Sequence, residues 1–416
     1  MFGQLYSVGA ILFSAAFFLA GNGLISTLTP LRADLEGFSA LALGALGAFY
    51  YAGFAAGCFA GPHLFVRTGH VRAFSIAAAF SAASILLQPI SSAPIVWFSL
   101  RAATGLCVAV LYMTLESWLN ERATNETRGR VLSTYIVVNF GAIILGQWLL
   151  LLGSPTSFEL FTIAVICFCF CLVPVGLTRL PQPNPHLMPQ LDVKKLFSIA
   201  PVGAAACITV GLANSAFWAL APPYTLSLGF DARQLALFMS VFVAGGALLQ
   251  WPLGRISDKV DRRGIIALIC TVGAILGLLL GLFGRLLLGV PEIFYTLIFL
   301  LGGSVLPLFA IGVAHAHDRL PSADFLQTSA SLLMIFAAAS VVGPVLASVF
   351  TVITNGYAGA LFIFIALANA LMAFFAFTRE RLNEALSEDK SEAFSSLPQG
   401  SVAAFAMDPR KSKDDT

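Results

Sequence analysis

Charged residues are scarce in this sequence. Asp, Glu, Lys and Arg make up 11% of its 416 residues, where a soluble domain carries roughly 25%. With 58% of residues hydrophobic and a mean hydropathy of +0.88, a water-soluble fold is excluded, because a chain of this length has no interior large enough to hide that apolar surface. The net charge of +2 excludes the basic footprint of a nucleic-acid binder. All seven cysteines (Cys58, Cys107, Cys167, Cys169, Cys171, Cys207 and Cys270) lie inside apolar runs, which is no disulfide framework. Cys167 and Cys171 share a helix face that Cys169 leaves, so the three read as small apolar filler and not as ligands. The five histidines, His63, His70, His186, His315 and His317, fall in predicted cytoplasmic loops. His315 and His317 precede Asp318, but no further ligand gathers there; no metal site, cofactor or enzymatic cluster is expected.

Acids are also missing from the middle third of every predicted helix. A buried acid is the simplest proton carrier or cation ligand, so its absence argues against proton-coupled export of cationic drugs. Glu116 falls near the predicted cytoplasmic interface and reads as a snorkelled, solvated side chain.

What the sequence has is apolar runs. Twelve recur, at 5–30, 39–61, 73–91, 94–115, 131–152, 159–178, 199–226, 235–253, 265–287, 292–313, 325–350 and 359–377. Runs of about 18 residues or more read as membrane-spanning helices. The first starts almost at Met1 without a basic flank and is too long for a signal-peptide core, so it reads as a retained helix. The break at 179–198 holds Pro181, Pro183, Pro185 and Pro189 and reads as a cytoplasmic linker. The expected architecture is an all-α membrane protein of twelve transmembrane helices: an N-terminal six-helix half over 1–178, a C-terminal half over 199–378, and a charged, Ser-rich tail over 379–416 that reads as disordered.

The basic residues predict the orientation. With both termini in the cytoplasm, the inside loops hold Arg67 and Arg72; Arg122, Arg128 and Arg130; Arg179, Lys194 and Lys195; Arg255, Lys259, Arg262 and Arg263; and Arg319. The outside loops hold only Arg32, Arg233 and Arg285. Positive residues stay on the cytoplasmic side, so a multi-pass inner (plasma) membrane protein with both ends inside is expected.

The chain also repeats itself. At an offset of 192 residues Asn22 meets Asn214, Pro30 meets Pro222, Gly37-Phe38 meets Gly229-Phe230, and Ala52-Gly53 meets Ala244-Gly245. Six helices per half make this a parallel repeat about an axis along the membrane normal, with a solute path between the halves.

The loop Gly254-Arg-Ile-Ser-Asp258-Lys259-Val-Asp261-Arg262-Arg263 resembles the loop signature of the major facilitator superfamily, with Asp261 where that signature has its second Gly. The first-half loop is degenerate: Gly61, Pro62, Arg67, Gly69 and Arg72 remain, but Val66 stands where the acid belongs. Arg101 and Gly105 resemble the superfamily's Arg-x-x-x-Gly signature on helix 4, Glu121 is followed by Arg128-Gly129, and helix 11 carries Gly343-Pro344. Helix 5 has Gly141 and Gly146 without Gly-Pro, so the pattern associated with antiporters is missing. The run Glu116-Ser-Trp118-Leu-Asn120-Glu121 is similar to that of a poorly characterised bacterial branch. The resemblance covers about 1–378 and implies a secondary transporter that works by alternating access on a small solute, with a coupling proton or ion, as a monomer in the lipid bilayer. A multidrug or metabolite efflux pump of the same fold, or a non-transporting receptor or scaffold, is the alternative.

Two residue groups follow. Asp258, Arg262 and Arg263 are placed to form a conformational latch, a carboxylate beside a helix end pairing with nearby arginine; in the first half Arg67, Arg128, Glu121 or Glu126 would have to serve. On a helical wheel Arg101, Gly105, Val108, Tyr112 and Glu116 fall within about 80° of one another, giving helix 4 one polar stripe. Arg101 is the leading solute-binding candidate, able to clamp a carboxylate or phosphate in bidentate fashion. Asn22, Asn139, Asn214 and Trp218 complete the set, with Thr225 on the face of Asn214; each Asn is equally well read as a bond to a neighbouring helix.

Overall fold

The computed structural model describes residues 2–124, 126–178, 183, 191–320, 324–382, 394 and 401. Among them there is no strand. Twelve helices are long and apolar enough to cross a membrane. They are labelled here α1 Val8–Leu35, α2 Ala40–Thr68, α3 His70–Ile90, α4 Pro94–Arg122, α5 Arg128–Leu152, α6 Glu159–Gly176, α7 Pro201–Ser227, α8 Ala232–Ser257, α9 Arg262–Leu287, α10 Pro291–His317, α11 Phe325–Ile353 and α12 Ala360–Glu380. Most run one or two turns past the apolar stretch that announces them. Pro30, expected near the end of the first helix, lies inside α1, as membrane helices tolerate.

The residues cluster into two compact units. One holds α1, α2 from Phe49 onward and α3–α6, with Ser401; the other holds Ser39–Ala48 at the start of α2, the helices α7–α12, and Phe394. The expected linker and tail fall mostly outside the described residues. Within them, Val193–Ile199 is a short helix capped by the Asp192 side chain, Phe394 is half-buried and Ser401 fully buried.

The 192-residue repeat is written into the backbone of each unit. After α1, Gly37 takes φ +82°, its N–H reaches the Asp34 carbonyl, and the Phe38 N–H reaches the Ala33 carbonyl. After α7, Gly229 takes φ +79° and the same pair of bonds joins Gly229 to Leu226 and Phe230 to Thr225. This is the closure that satisfies orphan carbonyls at a helix end and needs a residue without Cβ. The next helix starts alike in both: Ser39 accepts from the Ala42 N–H, and Asp231 accepts from the Gln234 N–H.

Glycines set the closest helix crossings. A Cβ added to Gly53 would stand 1.9 Å from the Ala102 carbonyl oxygen, and one on Gly105 would stand 2.0 Å from that of Tyr50. In the second unit a Cβ on Gly245 would meet the Phe299 oxygen at 1.8 Å, and one on Gly302 the Phe242 oxygen at 1.9 Å. So α2 touches α4, and α8 touches α10, backbone to backbone. Without a hydrophobic force between helices in lipid, such close packing holds a bundle together. Gly105→Ala and Gly302→Ala are therefore expected to destabilise, by about 1–3 kcal/mol from overpacking. Gly141→Ala, where nothing lies within 4 Å of the added carbon, should be neutral. Thermal unfolding of the three variants in detergent tests this; equal melting for all three would remove the glycine-crossing account.

Candidate functional site

The α2–α4 crossing places an arginine inside the first unit. Pro94 opens α4 at a position where a missing N–H is harmless, and buried Trp97 packs against Phe38 with ring centroids 5.3 Å apart. One turn on, Arg101 is only 6% exposed. Because Gly105 lets α4 lie directly on the backbone of Tyr50, the Arg101 guanidinium carbon comes within 4.4 Å of the Tyr50 ring centroid, a cation–π contact of about 2 kcal/mol when desolvated. Among the described residues Nε and Nη1 of Arg101 have no hydrogen-bond partner. The Asn22 side chain is in polar contact with the Tyr50 hydroxyl, and its Oδ1 also lacks a partner among the described residues. Buried donors left unmade are costly, so Arg101, Tyr50 and Asn22 form a polar nest built around a planar, unsatisfied cation.

The other sequence candidates distribute unevenly. Tyr112 is half-buried below Arg101 on α4, edge-on to Phe18 at 5.0 Å and to Phe54 at 6.3 Å. Asn139 is half-buried on α5, in polar contact with Tyr135. Asn214 is buried and Trp218 half-buried on α7, in the second unit. Thr225 turns its hydroxyl to the Pro222 carbonyl, 2.8 Å away, and so packs its own helix.

Glu116 overturns one expectation. It is not solvated: its exposure is 0%, and the Tyr135 hydroxyl, also 0% exposed, donates to its Oε1 at 3.0 Å. The Ser401 hydroxyl donates to Oε2. The reason is helix length. The apolar run ends at Leu115, but α4 continues to Arg122, so Glu116 still lies between neighbouring helices. Tyr50 and Tyr135 were missed by sequence reasoning; the adjacent Tyr50-Tyr51 in an apolar run was the available signal.

The second unit carries the ion pairs. Asp258, at the C-terminal cap of α8, pairs with Arg262 at 3.0 Å and accepts the Phe394 N–H at 2.9 Å. Arg262 also pairs with Asp318 at 2.6 Å and donates to the Ser257 hydroxyl. Arg263 pairs with Asp261 at 2.6 Å and donates to the Arg379 carbonyl. Burial pushes the Asp261 carboxyl up, but hydrogen bonds from the Arg263 side chain and backbone outweigh it and hold the group below the usual carboxylate range. That contribution is present above about pH 4 and fades as pH falls through the lowered value. His315 and His317 are not in a loop: they are buried in the last turn of α10, where His315 accepts from Arg319 and His317 bonds Ser329. His70 likewise opens α3, buried against the Phe65 ring at 4.5 Å. No metal-ligand cluster occurs among the described residues. In the first unit Arg67, Glu121 and Glu126 are exposed and Arg128 half-buried; among the described residues they form no ion pair.

Beyond the third helix the repeat continues at an offset of 197 residues, which maps Pro94 on Pro291, Trp97 on Phe294 and Gly105 on Gly302. Phe294 packs on Phe230 as Trp97 packs on Phe38. Along this register Arg101 maps on Ile298, Tyr112 on Phe309, Glu116 on Val313, Tyr135 on Leu332 and Asn139 on Phe336, while Tyr50 maps on Phe242 at the first offset. Each polar group of the first unit meets an apolar one in the second; Asn22 and Asn214 alone stay alike among these. The buried Arg262–Asp318 pair has His70 and Glu121 as its first-unit counterparts.

Comparison with known proteins bears on the fold and the family. Residues 10–284 and 203–409 match the sequence profile of the Major Facilitator Superfamily. Over 325 residues, 77% of this chain and 82% of theirs, the uncharacterized MFS-type transporters YcaD of Escherichia coli and of Salmonella arizonae are 25% identical. The fold is shared with the nucleoside transporter NupG, at a TM-score of 0.71 and 14% identity over 92% of this chain and 100% of that one. It is shared also with a D-xylose-proton symporter, at 0.69 and 16% identity over 94% and 99%. With a profile matching nearly its whole length, twelve spans and a repeat visible in each unit's backbone, this chain belongs to the major facilitator superfamily of membrane transporters.

Proposed function

We propose that the protein is a secondary transporter that moves a small anionic or zwitterionic solute by alternating access, in a bacterial-type inner membrane with both termini in the cytoplasm. The observation that carries this reading is Arg101: a guanidinium buried in a membrane helix, stacked on Tyr50, with two nitrogens lacking partners among the described residues. A charge in that position is expensive and marks a solute or ion path. Its flat fork suits a carboxylate or phosphate, and Asn22 adds an uncommitted acceptor for an ammonium or hydroxyl. The thirteen-to-three excess of basic residues in the predicted inside loops supports the orientation. Alternating access needs a contact that exists in one state and not the other, and the Asp258–Arg262–Asp318 cluster is the latch of that kind.

The test is a panel of carboxylate, phosphate and amino-acid solutes offered to right-side-out and inverted vesicles, with Arg101→Ala as the blank. An anionic or zwitterionic solute that accumulates in one orientation, and not in the blank, is the expected result. Movement of hydrophobic cations alone would overturn it.

A further inference from the structure

The polar column of the first unit ends in a carboxyl group that solute binding does not use. Arg101 and Glu116 sit on one continuous helix, about 22 Å apart at 1.5 Å per residue, so one small solute cannot touch both. Two hydroxyl donors converge on Glu116, Tyr135 from α5 and Ser401 from the C-terminal segment, and all three side chains are fully buried. The titratable groups facing it among the described residues are Tyr135 from α5, Tyr112 from its own helix and Cys58 from α2.

We propose that Glu116, held by Tyr135 and Ser401, is the proton-binding site of this transporter. Ionisable groups buried at membrane depth mark proton relays. A buried carboxyl changes its charge by taking up or releasing one proton, and both hydroxyls here fit either state, because a hydroxyl donates or accepts as it rotates. With Glu116 ionised, Ser401 donates to Oε2, as in the structure. When a proton from water binds Oε2, that oxygen becomes the donor and the Ser401 hydroxyl turns to accept; loss of the proton reverses both. Protonation thus reverses the bond between Ser401 and α4. The counterparts Val313, Leu332 and Phe309 include no carboxyl, so the second unit has no equivalent of this site.

The experiment needs no solute and uses the full chain in lipid nanodiscs. Infrared difference spectra between about pH 5 and about pH 9, above the range near pH 4 where surface carboxylates titrate, are recorded for the parent, Glu116→Gln, Tyr135→Phe and Arg101→Lys. The parent should show a carboxyl band that is absent in Glu116→Gln and shifted in Tyr135→Phe. A parent-like band in Glu116→Gln would overturn the proposal. If Glu116→Gln does not fold, an unshifted band in Tyr135→Phe overturns it equally. The inference rests on the transport reading for its role alone: Arg101→Lys should keep the band, so failure of the anion site and failure of the proton site are seen separately.

Discussion

Arg101→Lys is expected to weaken solute binding by roughly 10- to 100-fold while leaving the protein folded. A hydrogen bond to a charged group contributes about 1.5–3 kcal/mol, and each 1.4 kcal/mol is a factor of ten. Lysine keeps the charge, and the ammonium can still sit over Tyr50. It loses the planar fork that engages two oxygens at once. Arg101→Ala removes charge and packing together and should abolish transport. The contrast is measured as Kd or KM for a solute identified in the vesicle panel, with thermal unfolding alongside. Parent-like affinity in Arg101→Lys, together with a melting temperature that falls only in Arg101→Ala, would make Arg101 a packing residue.

Asp318→Asn should be the most disruptive change among the ion pairs of the second unit. Arg262 and Asp318 have side chains 2% and 5% exposed and lie 2.6 Å apart. Breaking a buried pair costs about 3–5 kcal/mol when the other charge is left uncompensated; Arg262 keeps Asp258 at 3.0 Å, so the loss falls below that range. Asp258→Asn should do less, because Asp258 is 26% exposed and solvent screens its pairing. If the pair forms in one state of the transport cycle only, its loss shifts the balance of states by up to about 100-fold. Alkylation rates of single cysteines introduced on the two sides of the membrane report that shift. The same rates in Asp318→Asn as in the parent, with an unchanged melting temperature, would leave the cluster without a conformational role.

Most of the fold is legible in the sequence, because a membrane helix is announced by length and hydropathy alone. The first repeat offset is equally plain: the turn after α1 needs Gly37 and Phe38, and the turn after α7 needs Gly229 and Phe230, for one geometric reason. The second offset is hidden by five extra residues within α9, which has 26 residues where α3 has 21. Without it, the pairing of Glu121 with Asp318 and the apolar counterparts of Arg101 and Glu116 cannot be read. Within the site, the position of Arg101 inside a helix marks it directly. Tyr50 is not marked, since nothing local says that α2 and α4 touch at Gly105. The burial of Glu116 is lost for a related reason: an apolar window locates a helix core but not its ends.

The paired glycine crossings bear on how specificity can change. Gly245 and Gly302 hold Phe242 and Ile298 in the same backbone setting that Gly53 and Gly105 give to Tyr50 and Arg101. The scaffold for the arginine nest therefore exists twice in one chain, once occupied by polar groups and once blank. Selection can redraw the first copy side chain by side chain without disturbing the backbone, since the second shows that this backbone stands without them. The blank copy is in turn a ready position for a second charge, two substitutions away, Phe242→Tyr and Ile298→Arg.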